Sequence, residues 1–409
     1  MWAVPRGGLR INRFVLTGVL FCRACGGVVT ALDSSPTPPV KPAQGPIPVR
    51  WTTIDPLQQT SAFRDWNMIV SARSEGGYAD NVLLSEKRRQ GSGFVAVGAD
   101  LFLIYLPAKG PEFNLFFSGD DRRYLASIRT GSNQPSATKD QYFITQATLK
   151  QAWRDDWIFS FAAQHVYNDQ VYDASDLDDR IGSVRTQGHF FNLLPSIRRG
   201  IGRYFFLEAA VGGGRQHFES PISSYWEAGP RLTAGWTPNT NTSVEIGLSA
   251  NRRWYDTRLE TDLAGNPFPG TQLGTDDKRA DLVWRQTWDS RRWWSTTLRG
   301  FINHRTDDAA GYYDYDRLGA AATLKFSPPH WIVRLAVKGS TYDYRRQLVS
   351  PFNPVPRARE EAELEARVER QITNQLRLYA RGLYDVTHSN VPLDSYRANT
   401  ALAGVEWDF

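Results

Sequence analysis

The sequence contains six histidines, the side chains most often used as metal ligands and as acid–base catalysts near neutral pH. They are His165, His189, His217, His304, His330 and His388. No two of them have the spacing of a helical metal site, and the two cysteines, Cys22 and Cys25, lie near the amino terminus. The sequence therefore predicts no metal site and no cofactor.

A serine hydrolase needs a serine and a histidine held together with a third polar group. His165 with a serine on a neighbouring strand would provide the first two groups, so a hydrolase stays open as an alternative. Because no spacing in the sequence singles out a complete catalytic set, we expect the protein not to be an enzyme.

Two further segments contain residue types that bind ions. The acidic segment DASDLDD (173–179) lacks the glycine and terminal glutamate of a calcium loop, so we expect a solvated surface that holds cations loosely. The segment VGGGR (211–215) lies within a strand pattern and precedes no helix. Close packing or a bend explains its glycines better than a phosphate site does.

The amino terminus predicts export. Arg6, Arg10 and Arg13 precede an apolar stretch at 14–21, and the small residues before Leu32 are suited to cleavage. We therefore predict a signal peptide at residues 1–31. Its removal takes away four arginines and no acidic residue, so the net charge falls from +5 to +1 and predicts no nucleic-acid partner.

Residues 32–60 have the composition of a tether. Six prolines lie between Pro36 and Pro48, and apolar periodicity is weak. Such a segment favours an extended chain over a packed domain. We expect it to lie in the periplasm, where it is a candidate site for a periplasmic partner, and we assign residues 61–409 to one further domain.

From Trp66 to the end, aromatic-rich segments alternate apolar and polar residues with a period of two, and no run of 18 apolar residues occurs. The pattern predicts an all-β fold, a closed antiparallel up-and-down transmembrane β-barrel. We place about sixteen strands at 65–75, 93–106, 113–128, 141–153, 157–172, 188–198, 203–217, 225–236, 242–258, 277–289, 293–306, 313–326, 331–346, 359–371, 375–389 and 395–409. Pro195 and Pro230 fall inside strands, so we expect bulges or shortened strands there and a count between fourteen and eighteen.

The predicted connections alternate in length. Tight turns such as 154–156 and 327–330 follow even-numbered strands, and long loops such as 260–276 follow odd-numbered ones. Bacterial barrels place short turns in the periplasm, so both termini are expected there. Tryptophans and phenylalanines gather at the short-turn ends, as in an interfacial aromatic belt. The tyrosine-rich segments at the long-loop ends, such as YYDYDR (312–317), predict an outer tyrosine girdle or a rim that contacts a ligand.

The polar face of the predicted strands is strongly charged, which would be costly in a dry core and therefore indicates a wet lumen. The residues that we place in the lumen are Arg73, Glu75, Glu227, Arg231, Glu245, Arg285, Arg299, Arg334, Glu363, Glu365, Arg367, Glu369, Arg377 and Arg381. Segment 358–372 consists of good helix formers, but its apolar residues have a spacing of two, which predicts a strand. A three-residue hairpin after it would place Glu369 opposite Arg377 and Glu365 opposite Arg381.

The chain ends in TALAGVEWDF, with apolar residues at alternate positions up to a final aromatic. This ending resembles the terminal strand of Gram-negative outer-membrane β-barrels, which the barrel-assembly machinery recognises. The resemblance implies that machinery as a partner and the outer membrane as the location, with lipid around the wall. It also implies an assembly signal formed by Ala401, Ala403, Val405, Trp407 and Phe409.

The segment GGYADNVLLSE (76–86) resembles the first-strand junction of barrels from surface-polysaccharide loci and of surface lipoprotein assembly modifiers. Together these features favour a porin-like channel that passes small polar solutes passively. The alternatives are a structural or assembly barrel that helps to export or display a surface polysaccharide or lipoprotein, and the hydrolase considered above.

Overall fold

A computed structural model describes residues 66–87, 89–107, 109–128, 137–154, 156–173, 183–219, 222–350 and 353–409. The signal peptide and tether predicted at 1–31 and 32–60 lie outside these residues. The strands are β1 (Trp66–Ala79), β2 (Ser92–Tyr105), β3 (Glu112–Ile128), β4 (Ala137–Trp153), β5 (Trp157–Asp173), β6 (Ser183–Ile201), β7 (Phe205–Phe218), β8 (Tyr225–Asn239), β9 (Thr242–Tyr255), β10 (Gly274–Thr287), β11 (Trp294–Asp307), β12 (Tyr315–Phe326), β13 (Trp331–Ser350), β14 (Asn353–Gln371), β15 (Leu376–Ser389) and β16 (Tyr396–Asp408). A short 3₁₀ helix, Pro392–Asp394, precedes β16.

Each strand pairs antiparallel with its neighbours in the sequence, and β1 pairs with β16 to close the sheet. The prediction of an antiparallel up-and-down barrel with about sixteen strands is confirmed. Because β1 pairs with β16, none of the described strands is an edge strand of an open sheet. No helix among the described residues is long and apolar enough to cross a membrane.

The two ends of the barrel differ in their connections. At the turn end, which also holds Trp66 and Phe409, the connections include 154–156, 240–241 and 327–330. At the loop end they include 80–91 and 256–273. The connection between β13 and β14 at the loop end is shorter than predicted. β13 ends at Ser350 and β14 begins at Asn353, so residues 347–350 and 353–358, which were expected in a loop, belong to the strands.

Segment 358–372 is a strand, as its period predicted, but the expected register is wrong. Glu369 lies opposite Tyr379 and Glu365 opposite Leu383, two residues from the predicted partners. The connection to β15 is longer than the three-residue hairpin on which that register depended. Glutamate and arginine still meet diagonally, with Arg381 Nη2 2.9 Å from Glu365 Oε2 and Arg377 Nη1 3.6 Å from Glu369 Oε2.

The expectation of bulges or shortened strands at the two prolines is also wrong. β6 and β8 run through Pro195 and Pro230 without a register shift at either position. On one side of each proline, two successive residue pairs are missing from the ladder. The neighbouring strand therefore does not need the backbone N–H that proline lacks. Next to Pro230, Gly229 is needed because a Cβ atom there would lie 1.9 Å from the carbonyl oxygen of Ala250.

Alternate side chains cover the outer wall with apolar groups, and aromatic residues collect at its turn end. Trp294 stacks on Phe326 with ring centroids 4.2 Å apart, and Trp153, Trp331 and Trp407 are exposed. An exposed apolar wall rimmed by tryptophan is the surface that a bilayer covers. The wall therefore has the chemistry of a membrane-spanning barrel.

Candidate functional site: the barrel lumen

Inward-facing side chains line the lumen at every second position of each strand. The fourteen residues predicted to line the lumen all lie on this face: Arg73 and Glu75 on β1, Glu227 and Arg231 on β8, Glu245 on β9, Arg285 on β10, Arg299 on β11, Arg334 on β13, Glu363, Glu365, Arg367 and Glu369 on β14, and Arg377 and Arg381 on β15. Most of them join ion pairs along the wall rather than across it.

A network near the turn end joins β14, β15 and β16. Arg377 Nη2 lies 2.8 Å from Glu406 Oε1 and 2.6 Å from Asp408 Oδ1. Arg367 Nε lies 3.0 Å from Glu369 Oε1, on its own strand. Such pairs between neighbouring strands stiffen the wall while their charges still face the lumen.

A second network lies at mid-height on the first strands. Arg73 Nη2 contacts Asp120 Oδ1 at 2.7 Å and also pairs with Asp100. Glu75 accepts a hydrogen bond from the hydroxyl of Tyr379 at 2.8 Å, reaching past β16 to β15. The closing seam between β1 and β16 is therefore reinforced inside the lumen as well as through its backbone.

Four basic residues form a row across neighbouring strands. Lys325, Arg334, Arg367 and Arg381 lie directly opposite one another on β12 to β15. Like charges in this position repel, and Glu365 and Glu369 on either side of Arg367 offset part of that repulsion. Arg334 makes no ion pair or hydrogen bond with any described residue, so its charge is available to a solute.

Several of these charged side chains have access to solvent although they point inward. The side chain of Lys338 is 45% exposed, and those of Arg299 and Glu245 are each 29% exposed. A side chain directed into a barrel can be exposed only if the interior contains space for water. A sixteen-stranded barrel is wide enough to provide such space.

The loop-side half of the lumen is packed with tyrosine, and the predicted outer tyrosine girdle is wrong. Tyr225, Tyr255, Tyr315, Tyr342 and Tyr344 are all less than 7% exposed and point inward. Their rings contact one another, as between Tyr225 and Tyr255 at 5.3 Å. The outward positions beside them carry tryptophan instead, at Trp226 and Trp254.

Buried arginines accompany these tyrosines. Arg357 and Asp394 are both 0% exposed, and Arg357 Nη2 lies 2.5 Å from Asp394 Oδ2. Arg357 also stacks over Tyr344, with its guanidinium carbon 4.4 Å from the ring centroid. A buried pair with further hydrogen bonds fixes its elements in one arrangement.

One ion pair reaches across the lumen. Arg359 on β14 and Asp173 at the end of β5 lie far apart in strand order, yet Arg359 Nη2 is 2.7 Å from Asp173 Oδ2. Both side chains are almost fully buried. The contact joins opposite walls and narrows the lumen near the loop end.

The first part of the connection after β1, residues 80–85, folds inward against the first strands. Val82 and Leu83 are buried in a cluster that includes Phe94, Ile128 and Tyr379. The Asn81 side-chain amide donates hydrogen bonds to the carbonyl oxygens of Ser85 and Arg397, at 3.0 and 2.8 Å. This connection forms part of the same constriction.

Sequence reasoning missed several of these residues. Arg357 was outside the predicted strand, which began at 359, whereas β14 begins at Asn353. Extending the period-two pattern backward would have found it. The contact between Asp173 and Arg359 has no local signal in the sequence, because 186 residues separate its partners.

The described histidines belong to no group of side chains that could hold a metal ion. His165 Nε2 lies 3.1 Å from His189 Nδ1 on the outer wall, and no serine joins them among the described contacts. No group of three or more metal-ligating side chains occurs in the part of the chain that the structure describes. The acidic segment 173–179 lies outside the described residues except for Asp173.

A serine and a histidine meet at the loop end, beside an acid that is bound by an arginine. Ser224 Oγ is 3.3 Å from His217 Nδ1, and it also accepts the backbone N–H of Phe218 at 2.9 Å. The nearby carboxylate of Asp256 is bound by Arg215, whose hydrogen bonds lower the pKa of Asp256. Arg215 therefore engages the acid that could have oriented the histidine.

The residues of the expected assembly signal lie on the outward face of the last strand. Ala401, Ala403, Val405, Trp407 and Phe409 are all exposed, and Phe409 is 74% exposed. The backbone N–H of Phe409 donates to the carbonyl oxygen of Val70 at 2.9 Å, so the terminal residue is held against β1.

No protein-family model and no curated protein sequence matches this chain. Its structure is similar to crystal structures of outer-membrane barrels. Acinetobacter baumannii OccAB1 has a TM-score of 0.47 at 10% identity, covering 85% of this chain and 97% of that one. Pseudomonas aeruginosa OpdQ has a TM-score of 0.47 at 9% identity, covering 85% and 99%. Likeness at this level carries no argument about function, which depends on the lumen itself.

Proposed function

We propose that the protein is a passive channel for small polar solutes. The observation that carries this proposal is the solvent access of inward-facing charged side chains, above all Lys338 at 45% exposure. An interior that contains water and is lined by both signs of charge favours polar solutes over apolar ones. The constriction at the loop end then limits the size of solute that passes.

We further propose that the barrel lies in an outer membrane with both termini in the periplasm. The even number of strands places Trp66 and Phe409 at the turn end. In bacterial barrels the short turns face the periplasm and the longer loops face outside. The orientation is tested on intact cells by labelling a cysteine introduced at exposed Leu263 or at Thr240. We expect Leu263→Cys to be labelled. Labelling of Thr240→Cys alone would mean that the orientation is the opposite one.

The channel is tested by adding the purified full chain to planar bilayers. We expect stepwise conductance, and we expect liposomes that contain the protein to swell in solutions of small sugars or amino acids. Barrel folding is checked first by the heat-induced shift in electrophoretic mobility. Folded protein that gives no conductance at any voltage and no swelling would refute the channel.

We also propose that the barrel-assembly machinery recognises the outward residues of β16. The support is their exposure together with the position of Phe409 beside β1. Phe409→Ala is expected to lower the amount of folded barrel in the membrane, whereas Asp408→Asn, which changes an inward residue, serves as the control. Equal assembly of both variants would contradict the proposal. The export alternative depends on residues 32–60, which lie outside the described part of the chain.

A further inference from the structure

A groove of about 680 Å³ crosses the outer wall from β9 to β13. Its lower edge is an apolar row in which Leu248, Ala280, Ile302 and Leu318 lie opposite one another on successive strands. Small Ala280 lies between larger neighbours, which makes the wall concave there. The volume is within the range of about 300–1,000 Å³ found for small-molecule sites.

The upper edge of the groove, one step nearer the loop end, is charged. Lys278, His304, Asp316 and Asp343 lie opposite one another in this row. All four belong to the outward face, whereas their neighbours Arg279 and Arg317 pair with Asp281 and Glu361 inside the lumen. The groove therefore spans the boundary between the apolar and the polar bands of the wall.

The charges of this row are distributed unevenly. Asp316 lies 2.7 Å from His304 Nδ1 and forms an ion pair with Arg345 Nη2 at 2.6 Å. Lys278 is exposed and makes no ion pair with any described residue. Asp343 lies at the far end of the row and repels anions. An anion in the groove is therefore favoured at the Lys278 end.

We propose that this groove binds a lipid whose headgroup carries phosphate. The phosphate contacts Lys278, and an acyl chain lies along the apolar row. An ammonium and a phosphate form a strong charge-assisted contact, and a lysine at the edge of an apolar surface extends its charge toward the headgroups. The proposed lipid site does not involve the lumen. The proposed orientation of the barrel is needed only to place the groove in the outer leaflet.

Native mass spectrometry of the full chain in detergent tests the proposal, with phosphorylated lipid A and its dephosphorylated form as probes. We expect the phosphorylated lipid to stay bound to the unchanged protein and to Lys278→Arg. Lys278→Ala should weaken binding about tenfold, the effect of losing one charge-assisted contact. Ala280→Trp, which fills the groove, should also weaken it. Arg397→Ala removes another exposed outward cation, on β16, and should leave binding unchanged.

Three results would overturn the site. Equal loss with Arg397→Ala would mean that lipid binds by general surface charge. Equal binding of the dephosphorylated lipid would remove the role of Lys278. A dimer or trimer that dissociates in Ala280→Trp would show that a second copy occupies the groove. Conductance of the same samples, expected to be unchanged by Lys278→Ala, separates the failure of this site from the failure of the channel.

Discussion

The two halves of the lumen use arginine in opposite ways. In the turn-side half, Arg299 pairs with Asp281 on the neighbouring strand and is 29% exposed, and the lumen-facing Lys338 is 45% exposed. In the loop-side half, Arg357 and Arg359 have fully buried side chains among tyrosines, and Arg359 reaches the opposite wall. The same residue type therefore lines a wet space at one end and forms a packed constriction at the other.

Strand number alone therefore does not decide whether a barrel is open. Sixteen strands provide the width, but the size of the inward side chains decides how much of it is filled. Tyrosine and arginine side chains are long enough to meet in the middle of the lumen, and their hydroxyl and guanidinium groups can form hydrogen bonds there. Changes to buried pairs should therefore affect stability, and changes to exposed pairs should not.

The largest effect is expected for Arg357→Met. It leaves Asp394 buried without its cation, and removing one partner of a buried pair costs about 3–5 kcal/mol. Urea titration of the barrel in lipid vesicles, followed by tryptophan fluorescence, measures the free energy of unfolding. The double variant Arg357→Met with Asp394→Leu should recover most of the loss, because no charge remains buried.

Arg345→Ala is the matched control for that experiment. Its partner is Asp316, and the two side chains are 53% and 44% exposed. Exposed pairs are screened by solvent and contribute little to stability, so the unfolding free energy should hardly change. Comparable losses in Arg345→Ala and Arg357→Met would contradict the distinction between buried and exposed arginine.

The sequence predicted the barrel well because its period-two pattern is a local signal. The strand at 358–372 shows this most clearly, since its period outweighed the helix propensity of its glutamates and alanines. The inward direction of Arg377 and Arg381 followed from the same alternation. Which of them meets which glutamate did not follow, because the register depends on the length of the connection between β14 and β15.

The constriction was not predictable in the same way. A tyrosine at the end of a strand has the same alternation whether it anchors the wall to a membrane interface or fills the lumen, and the girdle was the wrong choice for Tyr342 and Tyr344. The contact of Asp173 with Arg359 depends on the circumference and the tilt of the whole barrel. Neither quantity is encoded in a short segment.

Asp173→Asn is expected to increase conductance. It weakens the ion pair that joins β5 to β14 across the lumen, and loss of a charge in a buried pair costs about 2–5 kcal/mol. Single-channel recording should show a larger conductance or a higher open probability. Glu365→Gln breaks a pair along the wall instead and should change the conductance much less. A lower conductance in Asp173→Asn would mean that this contact holds the channel open.

A smaller effect is expected for Arg334→Ala. This variant removes from the basic row a cation that has no ion-pair partner among the described residues, so the channel should become less favourable to anions. The reversal potential in a salt gradient measures the shift, and Arg334→Lys should retain the original value. The shift should shrink with added salt, since the Debye length falls from about 10 Å at 0.1 M to about 3 Å at 1 M. A shift toward anions would exclude this role.

The smallest effects concern two aspartates that organise connections at opposite ends of the barrel. At the loop end, Asp262 accepts hydrogen bonds from the Asn266 side chain and backbone, both at 2.9 Å, and these bonds lower its pKa. At the turn end, Asp289 accepts the backbone N–H of Trp294 at 3.0 Å, which likewise lowers its pKa.

A lowered pKa in the folded protein means that each aspartate stabilises its connection above the unfolded pKa of about 3.9. The contribution is lost as the pH falls through the lower folded pKa. Hydrogen exchange of the backbone amides measures the effect. Relative to the unchanged protein at the same pH, Asp262→Asn should reduce protection at Asn266 near pH 6, and this difference should shrink as the pH falls below about 3.9. Asp289→Asn should reduce protection at Trp294 but not at Asn266, because the two connections lie at opposite ends of the barrel. Reduced protection of both amides in either variant would mean that the two connections are not independent.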